Sequence, residues 1–237
     1  VKEAIAHALE DFYSNLIAKI NSLKAKDLMK RKNPYLFRAK SFQNAAEMVD
    51  TMISSFVSSS EETIFGKCFF EPIATAASGG QKALAEGIDI MVQNDKENTI
   101  TAIAVKSGPS IFNSSSKKRQ EQNFTAARSL AQQAKKAYRA VIGYGYGKKR
   151  MSDNGTAQIY EELAGQDFWS ELTGDPQFYI QLIQYMDTLP ERYLTQYKEA
   201  YARASNRILR EFTNEFCRED GSIAWDAIVQ FNSGSEP

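Results

Sequence analysis

An aspartate and a lysine, Asp89 and Lys106, are the residues of this chain best suited to perform chemistry together. They lie in the segments 86–92 and 99–106, which are rich in β-branched residues and roughly alternating, a pattern that predicts two strands. The polar gap at 94–98 has the composition of a turn, so the strands are predicted to form a β-hairpin. Because cross-strand partners share one face, the pair suggests a metal-binding carboxylate beside a cation that handles a phosphate or a water molecule.

The register of this hairpin decides how the two residues meet. A register that pairs Asp89 with Lys106 also pairs Gln93 with Ala102, and any loop of even length keeps Asp89 and Lys106 on the same face. A simpler interpretation is a cross-strand ion pair, which contributes a few tenths of a kcal/mol up to ~1 kcal/mol. The hairpin on its own favours that simpler interpretation, whereas the rest of the sequence favours a site that performs chemistry.

A metal site at the hairpin needs further oxygen ligands. Mg²⁺ takes octahedral oxygen ligands and retains several water molecules, so two or three acids suffice. Glu61, Glu62 and Glu71 lie on a predicted helix before the hairpin, which can pack across the sheet and project a carboxylate towards Asp89. Acids in a first helical turn favour the helix dipole, which gives Glu61 and Glu62 a purely structural explanation. That explanation does not fit Glu71, which lies late in the predicted helix beside two phenylalanines.

The elements that position these residues are predicted from apolar spacing and capping residues. Before the hairpin the sequence predicts mostly helix, with Ser41 and Ser59 as N-caps, the latter in a capping box with Glu62. After the hairpin it predicts a long amphipathic helix and a buried strand, an order that indicates an α/β core. The predicted helices are 1–23, 27–30, 41–57, one from 58 to 71 that stops before Pro72, 118–138, 165–172, 176–188, 191–219 and 223–229, and the other extended segments are 34–38, 139–147 and 156–160.

Composition excludes several classes of function. The 237 residues, 43% of them hydrophobic, suffice for one large domain, and no apolar run approaches the roughly 20 residues of a membrane span. The first residues open an amphipathic helix and lack the layout of a signal peptide. Cys68 and Cys217 form neither a disulfide framework nor a zinc pattern, so a reducing cytoplasm is the expected location. The single histidine, His7, argues against His-based triads and zinc catalysis.

Charge is balanced overall but clustered locally. A net charge of zero and a pI near 6.8 do not by themselves indicate a nucleic-acid-binding protein. Basic residues nevertheless gather at 24–32, 117–119, 135–136 and 148–150, and a neutral protein can present a basic groove if its acids gather elsewhere. The simplest interpretation of any one cluster is a solvated helix end or loop.

The glycine-rich segment 143–149 is not a phosphate-binding loop of the nucleotide-binding kind. Such a loop needs four residues between its first glycine and the Gly-Lys pair, followed by Ser or Thr. Here three residues separate Gly143 from Gly147, and Lys149 stands where the hydroxyl residue is needed. No nucleotide cofactor is therefore predicted.

These features together resemble the PD-(D/E)XK nuclease superfamily, and within it the PmeII-like group of bacterial type II restriction endonucleases. The shared core is an acidic helix, Gly-Ile-Asp on one strand, a hydrophobic residue and lysine on the next, then a helix and a strand. The resemblance spans nearly the whole chain and implies an α/β fold: a restriction-endonuclease-like core, with a mixed central sheet flanked by helices, and added N- and C-terminal helices. The longer strings that carry it are 30–40, 58–66, 86–89, 105–109 and 165–169.

The resemblance also implies a Mg²⁺-dependent site. Asp89, Glu71 and the carbonyl of Val105 are expected to hold the metal, and Lys106 to orient or help deprotonate the attacking water and stabilise charge on the phosphate. The usual second acid of this core lies two residues before the lysine, where this chain has Ala104. Glu71 is therefore the preferred second acid, and Glu62 is the reserve for that catalytic role.

The expected substrate is a specific double-stranded DNA sequence, cleaved by a homodimer, since palindromic sites match two-fold protein symmetry. Phosphate contacts are expected from the basic clusters, and the loop from 107 to 118 is expected to lie near DNA. The chain is predicted to be a single nuclease domain, with a helical part over about 1–57, a catalytic core over about 58–162 and a second helical part over about 163–232. The expected DNA-binding residues are Ser107, Asn113, Ser114, Lys117, Lys118, Lys148 and Lys149.

Three other functions remain open at this point. A repair or junction nuclease of the same fold would recognise DNA structure and would not cut a plasmid into discrete fragments. A catalytically inactive DNA-binding relative, suggested by Ala104, would bind DNA tightly without Mg²⁺-dependent cleavage. A helical interaction protein with a merely structural hairpin would show no salt-sensitive DNA binding.

Overall fold

The computed structural model describes residues 1–83, 85–110, 112–149 and 159–235. Two compact units divide the chain, the first made of Val1–Glu10 and Phe65–Pro190 and the second of Asp11–Ile64 and Glu191–Pro237. The helices are α1 Lys2–Ser22, α2 Ala25–Met29, α3 Pro34–Ala39, α4 Ala45–Cys68, α5 Phe70–Ser78, α6 Ser114–Gln133, α7 Gln166–Thr173, α8 Phe178–Met186, α9 Glu191–Phe216 and α10 Trp225–Ser233; the strands are β1 Gln81–Lys82, β2 Ile90–Asn94, β3 Thr99–Lys106, β4 Ala137–Tyr144 and β5 Glu161–Ala164.

The first unit is built on a mixed sheet in which the strands follow the order β1-β2-β3-β4-β5. β1, β2 and β3 pair antiparallel, whereas β3, β4 and β5 pair parallel. Helix α6 connects the parallel strands β3 and β4, as a crossover between parallel neighbours requires. The predicted α/β fold with a mixed central sheet and flanking helices is confirmed.

The hairpin of β2 and β3 is confirmed, but its predicted register is wrong by two residues. Ile90 pairs with Ile103, and Gln93 pairs with Ile100 where Ala102 was expected. The reason is the turn: Asn94 accepts hydrogen bonds from the backbone of the following residues, and Asn98 has φ +50°, so the chain needs four residues to reverse. A shift of two residues preserves the alternation of side chains, so Asp89 and Lys106 keep a common face.

The two faces of the sheet are covered by different helices. On one face, apolar residues of β3 and β4, among them Ala102, Ala104 and Ile142, form one buried cluster with Phe124 of α6. On the other face, glycines of β4 and the segment after it admit bulky rings: a Cβ at Gly143 would lie 2.0 Å from the ring of Phe168. The face of β3 that carries Lys106 is therefore the face covered by α6.

The second unit has its own helical core. Its buried cluster draws on α1 with Leu16 and Ile20, on α4 with Met52, and on α9 with Ile208 and Phe212, all at most 1% exposed. The helices predicted over 1–23 and 191–219 are confirmed as α1 and α9. The unit can bury this much apolar surface because α4 and α9 are long, 24 and 26 residues.

Several predicted elements before the hairpin are wrong. The segment 34–38 was predicted to be extended but forms α3, because Asn33 caps it through bonds from Tyr35 and Leu36 and Pro34 suits the first helical turn. The helix predicted to start at Ser41 starts at Ala45.

The predicted break near residue 58 is also wrong. Helix α4 runs through it, and the hydroxyl groups of Ser60 and Thr63 donate to backbone carbonyls four residues earlier in the same helix. The predicted capping box of Ser59 and Glu62 therefore does not form, and the helix predicted to run to Glu71 ends at Cys68, before α5 begins at Phe70.

The elements after the hairpin match the predicted types with shifted bounds. Helix α6 begins at Ser114, four residues early, because Asn113 and Ser116 form a capping box. The predicted edge strand at 156–160 falls partly outside the described residues, and β5 lies just after it. The four predicted C-terminal helices correspond to α7, α8, α9 and α10.

Within the described residues, no helix is both long enough and apolar enough to cross a bilayer.

Candidate active site

Asp89 is fixed at the point where β2 meets β3. Its backbone N–H donates to the carbonyl of Ile103 at 2.9 Å, and its carbonyl accepts from Ala83 at 3.1 Å. Its side chain continues the ladder in place of a backbone acceptor, because Oδ2 accepts the backbone N–H of Val105 at 2.6 Å. The carboxylate is therefore held beside β3 by its own side-chain bond.

Lys106, the last residue of β3, completes the pair. Its Nζ lies 3.5 Å from Asp89 Oδ2, and the two side chains are 24% and 20% exposed. The distance is long for an N–H···O bond, so the ammonium group can turn to another anion at small cost. The backbone carbonyl of Lys106 accepts from Gly145 at 2.8 Å, which anchors the strand end on its other side.

The carbonyl of Val105 faces the same side as Asp89. In an extended strand the N–H and C=O of one residue point towards the same neighbouring strand, and the N–H of Val105 reaches Asp89. A carboxylate and a carbonyl are hard oxygen donors of the kind that Mg²⁺ accepts. Across the described ranges, no group of three or more His, Cys, Asp or Glu side chains is placed to hold a metal ion.

Glu71, the preferred second acid, is placed differently from the prediction. It lies in the first turn of α5, so the argument that it sits late in a helix is wrong, and the helix dipole alone can explain it. Its Oε1 lies 3.2 Å from Nζ of Lys82, which is 77% exposed. An exposed ion pair contributes little to stability, so exchanging the contact with Lys82 for a metal ion would cost Glu71 little free energy.

Glu62 is the reserve for the second acid, and Ala104 stands at the position where the resemblance expects that acid. Glu62 is exposed on α4, inside the helix and in the second unit. Ala104 is fully buried among the apolar residues under α6. The position at which the resemblance expects an acid is thus filled by a small apolar side chain.

A polar network that the sequence did not predict lies beside Lys106. Tyr144 is in register with Lys106 on the parallel strand β4, and its hydroxyl donates to Glu162 Oε1 at 2.8 Å. The same oxygen lies 2.9 Å from Lys149 Nζ, which is 5.4 Å from the centroid of the Tyr144 ring. The side chain of Glu162 is only 11% exposed, so this carboxylate is held away from bulk water by its two partners.

The protonation of this network follows from its contacts. Burial alone would raise the pKa of Glu162, but the hydrogen bonds from Lys149 and Tyr144 outweigh burial and hold that pKa below its usual value. Burial, reinforced by the bond to Glu162, raises the pKa of Tyr144 well above its usual value. At neutral pH the network therefore contains a charged carboxylate and a neutral phenol.

The predicted DNA-binding residues near the end of β3 make local structural contacts. The side chain of Ser107 packs against α4 at Gly66, where an added Cβ would lie 2.2 Å from Oγ of Ser107. Asn113 caps α6, and Ser114 is the first residue of that helix. Lys117 is half-buried, with Nζ 5.8 Å from the centroid of the Tyr160 ring.

The remaining predicted DNA-binding residues divide into two kinds. Lys118 and Lys148 are exposed and available for phosphate contacts. Lys149 is bonded to Glu162, so its charge is already compensated within the site. The two exposed lysines are the ones whose surroundings agree best with the prediction.

The sheet is mixed and flanked by helices, and an aspartate and a lysine meet where two of its strands adjoin. These features are consistent with a restriction-endonuclease-like core. A family model described as "Type II restriction endonuclease EcoO109I" matches residues 1–192. The chain belongs to this family of type II restriction endonucleases. A comparison with curated proteins found no match.

The Glu162 network leads to a pH-dependent prediction. Glu162→Gln is expected to lower the free energy of unfolding at pH 7 by about 2 kcal/mol, because it weakens hydrogen bonds to a charged, largely buried group. The folded-state pKa of Glu162 is lowered, so its stabilisation is present above the ordinary value of 4.5 and is lost as the pH falls through the folded-state pKa. Urea unfolding of parent and variant at pH 7 and at successively lower pH measures this difference.

The matched control is Glu97→Gln, which changes an exposed glutamate in the hairpin turn. Its effect on the free energy of unfolding should stay within about 0.5 kcal/mol at every pH. A Glu162→Gln deficit that stays constant or grows on acidification would show that the network does not hold a depressed carboxylate.

Proposed function

We propose that this chain is a Mg²⁺-dependent endonuclease that hydrolyses phosphodiester bonds at a specific sequence of double-stranded DNA. The observation that carries the proposal is the pairing of Asp89 and Lys106 at 3.5 Å at the end of β3, in a chain that belongs to a family of type II restriction endonucleases. The narrower resemblance to the PmeII-like group stays a prediction.

The proposed metal ligands are Asp89, the carbonyl of Val105 and Glu71. Bound there, Mg²⁺ would polarise a phosphoryl oxygen and lower the pKa of a coordinated water. The bond from Val105 N–H prevents Asp89 from turning away from the strand, so one carboxylate oxygen is fixed before any ligand arrives.

Lys106 is proposed to act on the water and the phosphate. Its ammonium group is half-buried and loosely paired, so it can orient the attacking water and offset the negative charge that develops on the phosphate. No covalent intermediate with the protein is needed, because the hydrolysis can proceed by direct attack of water.

Binding of DNA is proposed to involve two copies of the chain. A palindromic cleavage site is matched by two-fold protein symmetry, which supports a homodimer. Exposed lysines such as Lys118 and Lys148 would contact phosphates, so affinity should fall steeply with salt.

A second candidate function is favoured by one observation, the buried alanine at position 104. A DNA-binding relative without nuclease activity would retain the sheet and the exposed lysines but lack the second acid of the core. Salt-sensitive DNA binding with no Mg²⁺-dependent cleavage would support this alternative.

Plasmid cleavage with Mg²⁺ tests the proposed catalytic pair. The parent chain should cut a plasmid into discrete fragments, and Asp89→Ala and Lys106→Ala should each lower the cleavage rate by roughly 10²–10⁴-fold, because each removes a group that acts on the reacting phosphate or water. Asp95→Ala and Lys96→Ala, which change exposed residues in the turn of the same hairpin, should cleave at the parental rate. Cleavage that survives in Asp89→Ala would refute the assignment.

The Mg²⁺ requirement tests the second acid. Glu71→Gln should raise the Mg²⁺ concentration needed for half-maximal cleavage by roughly tenfold, because it removes a charged ligand. Lys82→Met should lower that concentration, since Lys82 competes with the metal for Glu71. If Glu62→Gln raises the requirement and Glu71→Gln leaves it unchanged, Glu71 is not the ligand.

A further inference from the structure

None of the residues named in the proposed function lines a cavity of about 230 Å³ in the second unit. It lies among α1, α2, the turn that follows α2, and α4. Three cations line it, Lys19, Arg31 and Lys32, together with four hydroxyl side chains, and no carboxylate is among its lining residues. The charged side chains of this lining are therefore all positive, which favours an anion over a cation.

The cations are arranged around one face of α4. Lys19 Nζ lies 5.3 Å and Arg31 Cζ 5.8 Å from the centroid of the Phe56 ring, so both are held by the same aromatic side chain. Lys32 Nζ lies 3.1 Å from Ser55 Oγ, the adjacent residue of the helix. Three positive charges thus converge on two neighbouring side chains.

The positive charges are not compensated. Within the described part of the chain, none of Lys19, Arg31 and Lys32 forms an ion pair, whereas nearby Lys26 pairs with Glu215 at 2.9 Å. Like charges held this closely repel, and a bound anion would relieve that repulsion.

The hydrogen-bond donors also suit an anion. Ser55 accepts from Lys32 and keeps its own hydroxyl hydrogen to donate. Ser59 also lines the cavity and brings a second hydroxyl donor. The planar fork of Arg31 and the point charge of a lysine are the two side-chain types most used to bind phosphate.

We propose that this cavity binds a phosphate group, and that in the DNA-bound protein it is a backbone phosphate of the duplex. The cavity volume of about 230 Å³ leaves room for a phosphate and part of the attached sugar. Arg31, Ser55 and Ser59 are exposed, so a phosphate that is part of a long duplex can reach them. The assignment of this phosphate to DNA rests on the proposed function, whereas the binding of a phosphate group by the cavity does not.

Equilibrium DNA binding tests the site in the presence of EDTA, so that no Mg²⁺-dependent cleavage occurs. Arg31→Gln/Lys32→Gln should weaken binding roughly tenfold, equally for all duplex sequences, and should reduce the slope of log affinity against log salt by about one. Lys24→Gln/Lys30→Gln is the matched control, because it removes the same charge from the same stretch without touching the cavity. Arg31→Lys, which keeps the charge, should restore part of the binding.

A second arm uses inorganic phosphate alone. At equal ionic strength, phosphate should raise the thermal unfolding midpoint of the parent relative to chloride, and it should not do so for Arg31→Gln/Lys32→Gln. Urea unfolding without phosphate shows that both double variants are folded, which is expected because they change surface charges.

The outcomes separate this proposal from the proposed function. Equal loss of DNA affinity in the cavity variant and the control variant overturns the backbone assignment. Loss of phosphate protection with unchanged DNA affinity overturns it too and leaves the cavity to a free phosphate-bearing ligand. If the parent binds no DNA, the proposed function fails, and the phosphate arm then decides alone: equal protection of parent and variant, or none in either, overturns the site.

Discussion

The hydrogen bond from the backbone N–H of Val105 to Asp89 Oδ2, 2.6 Å long, is the interaction on which the candidate site depends. The backbone hydrogen bonds between β2 and β3 end at this point, and the carboxylate of Asp89 accepts the N–H of Val105 instead. The same bond determines where the carbonyl of Val105 points, because both groups of an extended residue face one neighbour. A single side-chain contact thereby places two oxygen donors on the same side of β3, next to the ammonium group of Lys106.

The parallel half of the sheet supports this arrangement from the other side. Pairing of β3 with β4 sets Tyr144 beside Lys106, and pairing of β4 with β5 brings Glu162 to the hydroxyl of Tyr144. The carboxylate is compensated by Lys149, so its charge is contained within the network. Strand β3 therefore has a carboxylate on each side. Asp89 makes a long contact of 3.5 Å with Lys106, and Glu162 makes a short contact of 2.9 Å with Lys149.

What the sequence could predict follows from how local each feature is. The hairpin and the shared face of Asp89 and Lys106 depend on alternation over about ten residues, and both are confirmed. The register failed by two residues because the bonds of Asn94 decide the length of the turn. Helix α3 was missed although Asn33 and Pro34 are ordinary helix-start signals, since an apolar run before an arginine was interpreted as extended. Tyr144, Glu162 and Lys149 could not be assembled from sequence, because their meeting depends on a parallel register between distant segments.

Direct measurement of metal binding tests the central claim, that Asp89 and its neighbours on β3 form a centre for a divalent cation. Isothermal titration of the full chain with Mn²⁺, as a probe for the proposed Mg²⁺ site, would compare the parent with Asp89→Asn and Lys106→Met. The account predicts that the parent binds Mn²⁺, that Asp89→Asn loses this binding, and that Lys106→Met binds more tightly because a competing cation 3.5 Å from the carboxylate is gone. Equal Mn²⁺ affinity in the parent and Asp89→Asn would contradict it.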